Sequence, residues 1–449
     1  MPTRSYEGCP EHHNLDIQPL HDTLIVSTTM MSTQLRALLG ALALLALPLA
    51  GAAQPTSDIY SFISSYFNPD PNAGLTAFRS LHIPMGGLAE GMGMAYTAAA
   101  RDSSYFEANP AASAIIDQTE LGVFHNNWIS DTKIESAVYT LRAGNLGFGV
   151  MGKWLYLPFV GVDDFANSMG TGYYSEAIAA FNASYNFLQG YNFTGIALGA
   201  TGKLAYRSVP TTLAKAAGNS GLGLMVDGGA LIRFNFLKLY SSRTKNFAVG
   251  LALKNVGPPV LNEPLPTVAS LGLSWSPFRF ITFSGDVAKP VNLMDLSKSE
   301  RPIYAAGFAI SMTDAFGLQG GILMKGSNPR ISVGSMILLD LVKLNINYTL
   351  DLTTQFTPLN RISIQTAFVL GDLGRSALAK KVDRLYLEGL GEYGKGNADA
   401  AITLWNQALA ADPTFDPARE SLHAAENSKK LKAAMDAIGT MNLSPKPGN

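Results

Sequence analysis

After the apolar stretch that ends near Gln54, the chain keeps three histidines, His82, His125 and His423, and no cysteine. An acyl-transfer enzyme needs a nucleophile beside a base, and a metalloprotease needs two His one helical turn apart. The sequence holds no G-x-S-x-G elbow, no H-E-x-x-H and no phosphate loop, and the Gly-rich "GGLAEGMGMAY" (Gly86–Tyr96) lacks dinucleotide spacing. The residues therefore point away from an enzyme, and no cofactor or metal site is expected. The chemistry on offer is apolar contact. "WLYLPFVGVDDF" (Trp154–Phe165) carries a strand into what the spacing reads as an exposed loop that keeps Leu157, Phe159 and Val160. A second such loop has Leu293 and Met294. Exposed apolar clusters mark contact with a ligand or partner, so these five residues are the candidate capture site for a hydrophobic ligand; packing between loops or an aromatic girdle is the competing reading.

The elements that would carry those loops are strands. In "LVKLNINYTLD" (Leu341–Asp351), Val342, Leu344, Ile346, Tyr348 and Leu350 alternate with Lys343, Asn345, Asn347, Thr349 and Asp351. Such alternation puts the apolar side chains on one face of a strand. About fourteen runs of this kind fill 119–371, many of the nine to eleven residues that a tilted spanning strand needs. Short connections such as "AGN" (Ala143–Asn145) and "TDA" (Thr313–Ala315) alternate, imperfectly, with longer ones such as Leu157–Gly172 and Lys289–Pro302. The expectation is an all-β transmembrane barrel of about fourteen antiparallel strands, with lipid outside. A soluble sandwich is the alternative. The second strand face is rich in Gly, Ala and Ser, which suits a lumen filled by a plug or a ligand.

Composition agrees: 47% of the residues are hydrophobic and only 15% charged, against about 25% charged in ordinary soluble domains. The formal net charge of -1 offers no basic field for nucleic acid. "MSTQLRALLGALALLALPLAGAAQ" (Met31–Gln54) reads as a secretory signal peptide, with Arg36 before an apolar run and small residues at its end. The expected division is a doubtful leader over 1–29, the signal over 30–53, an N-terminal hatch over 54–118, the barrel over 119–371, helices over 375–436 and a flexible tail over 437–449. The lone Cys9 falls in the leader, so no disulfide is expected in the exported chain.

"GLAEGMGMAYTAAARDSSYFEANPAASA" (Gly87–Ala114) resembles the start of the FadL family of outer-membrane transporters for hydrophobic compounds. The likeness is nearest to its PorV/PorQ-like branch, which includes spirochaetal homologues. Gly91, Gly93, Ala95, Ala98, Asp102 and then Asn109, Pro110 and Ala111 carry it; Arg101 stands where the family often has a second acid. The resemblance implies a hatch around Asn109-Pro110-Ala111 inside a fourteen-stranded barrel, and a hydrophobic cargo. On the residues alone, Asn before Pro also reads as an ordinary turn.

From Arg375 the character changes to dense charge with Ala, Leu, Glu and Lys. Tyr386–Leu422 resembles a tetratricopeptide repeat, with Gly389, Tyr393, Gly396, Ala401, Trp405, Ala408 and Pro413 at its small, aromatic and terminating positions. Tyr393 and Trp405 are the candidate contacts to a periplasmic protein partner. The expected function is diffusive uptake of a hydrophobic small molecule, a long-chain fatty acid or other lipid, across the outer membrane. The alternative is a membrane anchor whose periplasmic helices bind secretion or envelope-assembly machinery.

Overall fold

The computed structural model describes residues 70–441, except 130, 164, 192, 210–219, 243, 326–327 and 353–358. These lie in one compact unit, Pro55–Asn449. The leader, the signal-type segment and most of the expected tail fall outside the described residues.

Fourteen antiparallel strands close into a barrel among the described residues: β1 (Glu120–Asn127), β2 (Lys133–Ala143), β3 (Leu146–Val162), β4 (Ser168–Phe187), β5 (Ile196–Ser208), β6 (Gly221–Phe234), β7 (Phe247–Val256), β8 (Thr267–Phe278), β9 (Ile281–Val291), β10 (Ile303–Ser311), β11 (Phe316–Lys325), β12 (Asn328–Leu339), β13 (Val342–Asp351) and β14 (Leu359–Val369). Each strand pairs with its sequence neighbours, and β1 closes on β14 from Glu120↔Val369 to Asn127↔Ile362. Closure leaves no sheet edge around the ring.

The alternation sorts as the patterning requires. On β3, Leu146, Phe148, Val150 and Trp154 are exposed outside, while Gly147, Gly149, Met151 and Lys153 are buried inside. On β13 the inward Asn345, Asn347, Thr349 and Asp351 are buried. Aromatic pairs sit on the wall near both ends: Trp154–Tyr156 near one, Tyr185–Phe187 and Phe278–Phe280 near the other. From Leu146 to Tyr156, at about 3.3 Å per residue and about 40° of tilt, the band rises roughly 25 Å, the height of a hydrocarbon layer in such barrels.

One expectation is corrected here. Leu157–Gly172 is mostly not a loop: β3 and β4 continue as a paired hairpin, with Leu157 opposite Tyr174, Phe159 opposite Gly172 and Val160 opposite Thr171. Leu157 and Phe159 take the inward-facing parity and Val160 the outward one, so the three do not share a face. Both faces of this extension carry apolar residues, which erases the period that marks a strand.

The chain before β1 crosses the barrel. It holds α1 (Gly87–Gly91) and short 3-10 turns at Arg79–His82, Ser103–Glu107 and Pro110–Ala114. Its Met85, Tyr96, Tyr105 and Phe106 form the core with inward wall residues such as Phe124 and Leu231. The small inward residues are explained by this contact. A Cβ on Gly199 would overlap the Pro110 carbonyl, and one on Gly229 the Asn109 side chain.

After β14 come α2 (Arg375–Gly394), α3 (Ala398–Ala411) and α4 (Asp416–Met441). The last helix runs past 436, into the stretch expected to be flexible. Trp405, 1% exposed, packs with Ala401, Ala408 and Phe415, and its Nε1 donates to the Tyr386 carbonyl at 3.2 Å. It is a core residue of the helices, which corrects its expected role as a partner contact. Tyr393 remains 38% exposed, its hydroxyl on Ser428 at 3.2 Å. No helix among the described residues is long and apolar enough to cross a membrane.

Candidate functional site

The inner segment, residues 77–117, is held to the wall largely through its main chain. Asn347 Nδ2 donates to the Gly87 carbonyl at 2.8 Å, Asn182 Nδ2 to Pro110 at 3.0 Å and Arg233 Nη2 to Ala100 at 2.8 Å. Asp286 accepts the N–H groups of Tyr96 and Thr97 at 2.9 and 2.7 Å. Asn109, Pro110 and Ala111 lie at the centre of this segment. Asn109 Nδ2 donates to the carbonyls of Thr97 and of wall residue Ala230, both at 3.0 Å, while its Oδ1 accepts the Ala111 N–H at 3.1 Å. The Asn-Pro pair therefore makes a turn and also fastens that turn to the wall.

Two carboxylates of the inner segment meet wall cations. Glu107 pairs with Lys153 at 2.7 Å. Glu90 accepts from Thr349 at 3.1 Å and Asn126 at 3.3 Å and lies 3.9 Å from Arg361. Burial raises the Glu90 carboxyl above the usual range, against the opposing pull of Arg361.

Between the inner segment and β7–β12, toward the end of the β3–β4 hairpin, lies a cavity of about 180 Å³. Leu81, Ile83, Met94, Val268, Leu323 and the Trp128 indole give it apolar walls; Glu107, Asp286, Lys254, Lys325 and Arg330 give it charge. Most of these charges are matched. Lys325 pairs with Glu300 at 2.9 Å and Arg330 with Asp351 at 2.8 Å. Lys254 differs: its ammonium donates to the Glu107 carbonyl at 2.6 Å, and no carboxylate among the described residues lies within ion-pair distance. His82 also lines the cavity, with its Nε2 buried and without a hydrogen-bond partner. Burial, aided by Lys325, Lys254, Arg330 and Lys153, lowers its pKa to about 3, so the ring is neutral. A cavity of 150 Å³ with apolar walls holds benzene. This one has room for a small ring or a length of alkyl chain, beside the Lys254 ammonium and the Asp286 carboxylate, neither in a direct ion pair among the described residues, with Asp286 Oδ1 buried and without a hydrogen-bond partner.

The capture residues do not line this cavity. Leu293 and Met294 are exposed in the β9–β10 connection, on the same end of the barrel as the β3–β4 hairpin. His125 joins Glu135 across β1 and β2 at 2.8 Å. Among the described residues no group of three or more His, Cys, Asp or Glu could hold a metal ion.

A closed antiparallel barrel with an apolar exterior and a polar, filled interior defines a protein of the membrane-barrel class. The chain belongs to the uncharacterised protein family UPF0164, whose model matches residues 64–373. It is similar to two UPF0164 proteins of Treponema pallidum (strain Nichols). One is 28% identical over 383 residues, covering 82% of this chain and 87% of that protein; the other is 26% identical over 388 residues, covering 79% and 76%. Among solved structures the fold is similar to the Ralstonia pickettii toluene transporter TbuX, at a TM-score of 0.41 and 13% identity over 63% of this chain and 97% of that one. The Pseudomonas putida toluene transporter TodX stands at 0.41 and 11%, over 62% and 95%. Likenesses this distant carry no argument about cargo.

Proposed function

We propose that this protein is an outer-membrane channel that lets hydrophobic small molecules, long-chain fatty acids in particular, diffuse past the inner segment, which acts as a hatch. The observation that carries the reading is the lumen cavity, apolar on its walls and furnished with the unmatched Lys254 ammonium. An apolar tail gains about 0.8 kcal/mol per buried CH₂, and a carboxylate would satisfy the ammonium. The cavity is smaller than a long-chain fatty acid, so passage requires the inner segment to shift. The apolar exterior and aromatic rows support residence in an outer membrane, with the C-terminal helices in the periplasm. The exposed Leu293 and Met294, with Leu157, Phe159 and Val160 of the hairpin, are the proposed first contacts for cargo on the outer side. Isothermal titration of the purified protein with oleate tests the reading; saturable binding supports it, and its absence from folded protein refutes it.

A second reading keeps the barrel as an anchor for a periplasmic partner, as PorV-like proteins serve secretion machinery. It is favoured by Leu387, Leu390, Leu431, Met435 and Ile438, which stand exposed on the helices. A pure anchor would bind no cargo in the same titration.

A further inference from the structure

The chain leaves β14 and enters α2 through residues 370–374, where Gly371, Leu373 and Gly374 hold left-handed backbone at φ 92°, 55° and 79°. The helices that follow have a buried core around Trp405 and Phe415, against which Tyr191 also packs. Among the described residues, Arg375 and Phe415 both meet the barrel end. Arg375 donates Nη2 to the Asp117 carbonyl at 2.7 Å and Nη1 to the Ile116 carbonyl at 3.3 Å. Arg142, at the end of β2, donates to the same Ile116 carbonyl at 3.3 Å. Ile116 and Asp117 are where the inner segment leaves the lumen. The Phe415 ring meets Tyr191 of the β4–β5 connection edge-on at 5.3 Å, with Tyr386 at 5.4 Å. Between the helices and the barrel end lies a cleft open to the surface, with Gln118, Asn145 and Gln189 on the barrel side.

We propose that the C-terminal helices are a strap across this sector of the barrel end, hinged at 371–374 and latched by Arg375 on the terminus of the inner segment and by Phe415 on Tyr191. While latched, the strap restrains the last turn of the inner segment, where the Ile115 and Ile116 N–H groups bond to the Ala112 carbonyl. Release frees that turn to fray into the lumen. A small unit joined to the barrel by a hinge opens at lower cost than the barrel unfolds. The effect on passage rests on the channel reading; the latch itself does not.

The test is the full-length Tyr191→Ala/Arg375→Gln variant in lipid, with Arg375→Lys, which keeps the charge but loses the fork, as a milder second variant. Hydrogen exchange at Ile115 and Ile116 should quicken by on the order of tenfold, as expected for loss of charged hydrogen bonds, while the amides of α2 and α3 stay as protected as before. Uptake of labelled oleate should rise with it, and Arg375→Lys should fall between. Unchanged exchange in both variants overturns the latch. Faster exchange with unchanged uptake, in a protein that does transport, overturns the strap's role in passage. Faster exchange with no uptake by any form, wild type included, upholds the latch and refutes the channel reading.

Discussion

Asp286 on β9 accepts the backbone N–H of Thr97 at 2.7 Å and that of Tyr96 at 2.9 Å, so one wall carboxylate grips the inner segment by two consecutive peptide groups. The Thr97 side chain adds a hydrogen bond to the same carboxylate. The grip depends on the carboxylate. Replacing Asp286 with Ala leaves the buried Thr97 N–H unsatisfied, at a cost of about 1–3 kcal/mol, while the Tyr96 N–H keeps its second acceptor, the Met94 carbonyl at 2.9 Å. Amide exchange at Thr97 should accelerate by roughly tenfold or more and that at Tyr96 by less, while the barrel keeps its heat-modifiable migration on a gel. Unchanged exchange would show that the segment is held elsewhere.

The inward glycines make a second, steric prediction. Gly199→Val places a side chain where the Pro110 carbonyl already sits. Overpacking of this kind costs about 1–3 kcal/mol, and the mobile partner should be the inner segment, since the wall is bonded on both sides. Limited proteolysis should cut within residues 77–117 in the variant and not in the wild type. Gly202→Val, on the outer face with open space at its Cβ, is the control and should leave the pattern unchanged.

His82 predicts a pH dependence with a definite sign. Its folded pKa is lowered to about 3 from the ordinary 6.5. Between those values the unfolded or undocked segment takes up a proton that the docked one refuses, so docking weakens as pH falls from 6.5 toward 3. Above pH 6.5 the full contribution is present. Proteolytic resistance of the inner segment should decline on acidification, and His82→Gln should flatten the part of that slope that His82 supplies. An identical slope in the variant would assign the effect to other groups, the Glu90 carboxyl excepted, because its raised pKa favours docking at low pH.

The fold was legible in the sequence because lipid outside and a filled lumen inside impose opposite chemistry on alternate residues, as in Val342–Asp351. The inward glycines of β3 and β5 were legible as a small inner face, and their partners are parts of the inner segment: Gly147 meets the Ser113–Ala114 main chain, Gly149 the Tyr105 and Phe106 rings, and Gly199 the Pro110 carbonyl. The hairpin extension was not legible, since Leu157 and Phe159 match Val160 in polarity. Trp405 looked like a contact residue because helical spacing cannot tell a face buried against a sister helix from one offered to a partner. The cavity was missed altogether. His82, Trp128, Lys254 and Arg330 come from distant parts of the chain, and only closure of the ring brings them together. An isolated Lys in a strand, such as Lys254, was the one available signal, and Lys153 and Lys203 share it while having ion-pair partners.

Lys254→Met addresses the central proposal most directly. It removes the unmatched ammonium and keeps most of the apolar volume. Affinity for oleate, measured by isothermal titration, should fall by about tenfold or more, the equivalent of one charged hydrogen bond, while affinity for the uncharged alcohol of the same chain length stays within about twofold. Equal affinity of the wild type and the variant for oleate, with the barrel folded, would contradict the account.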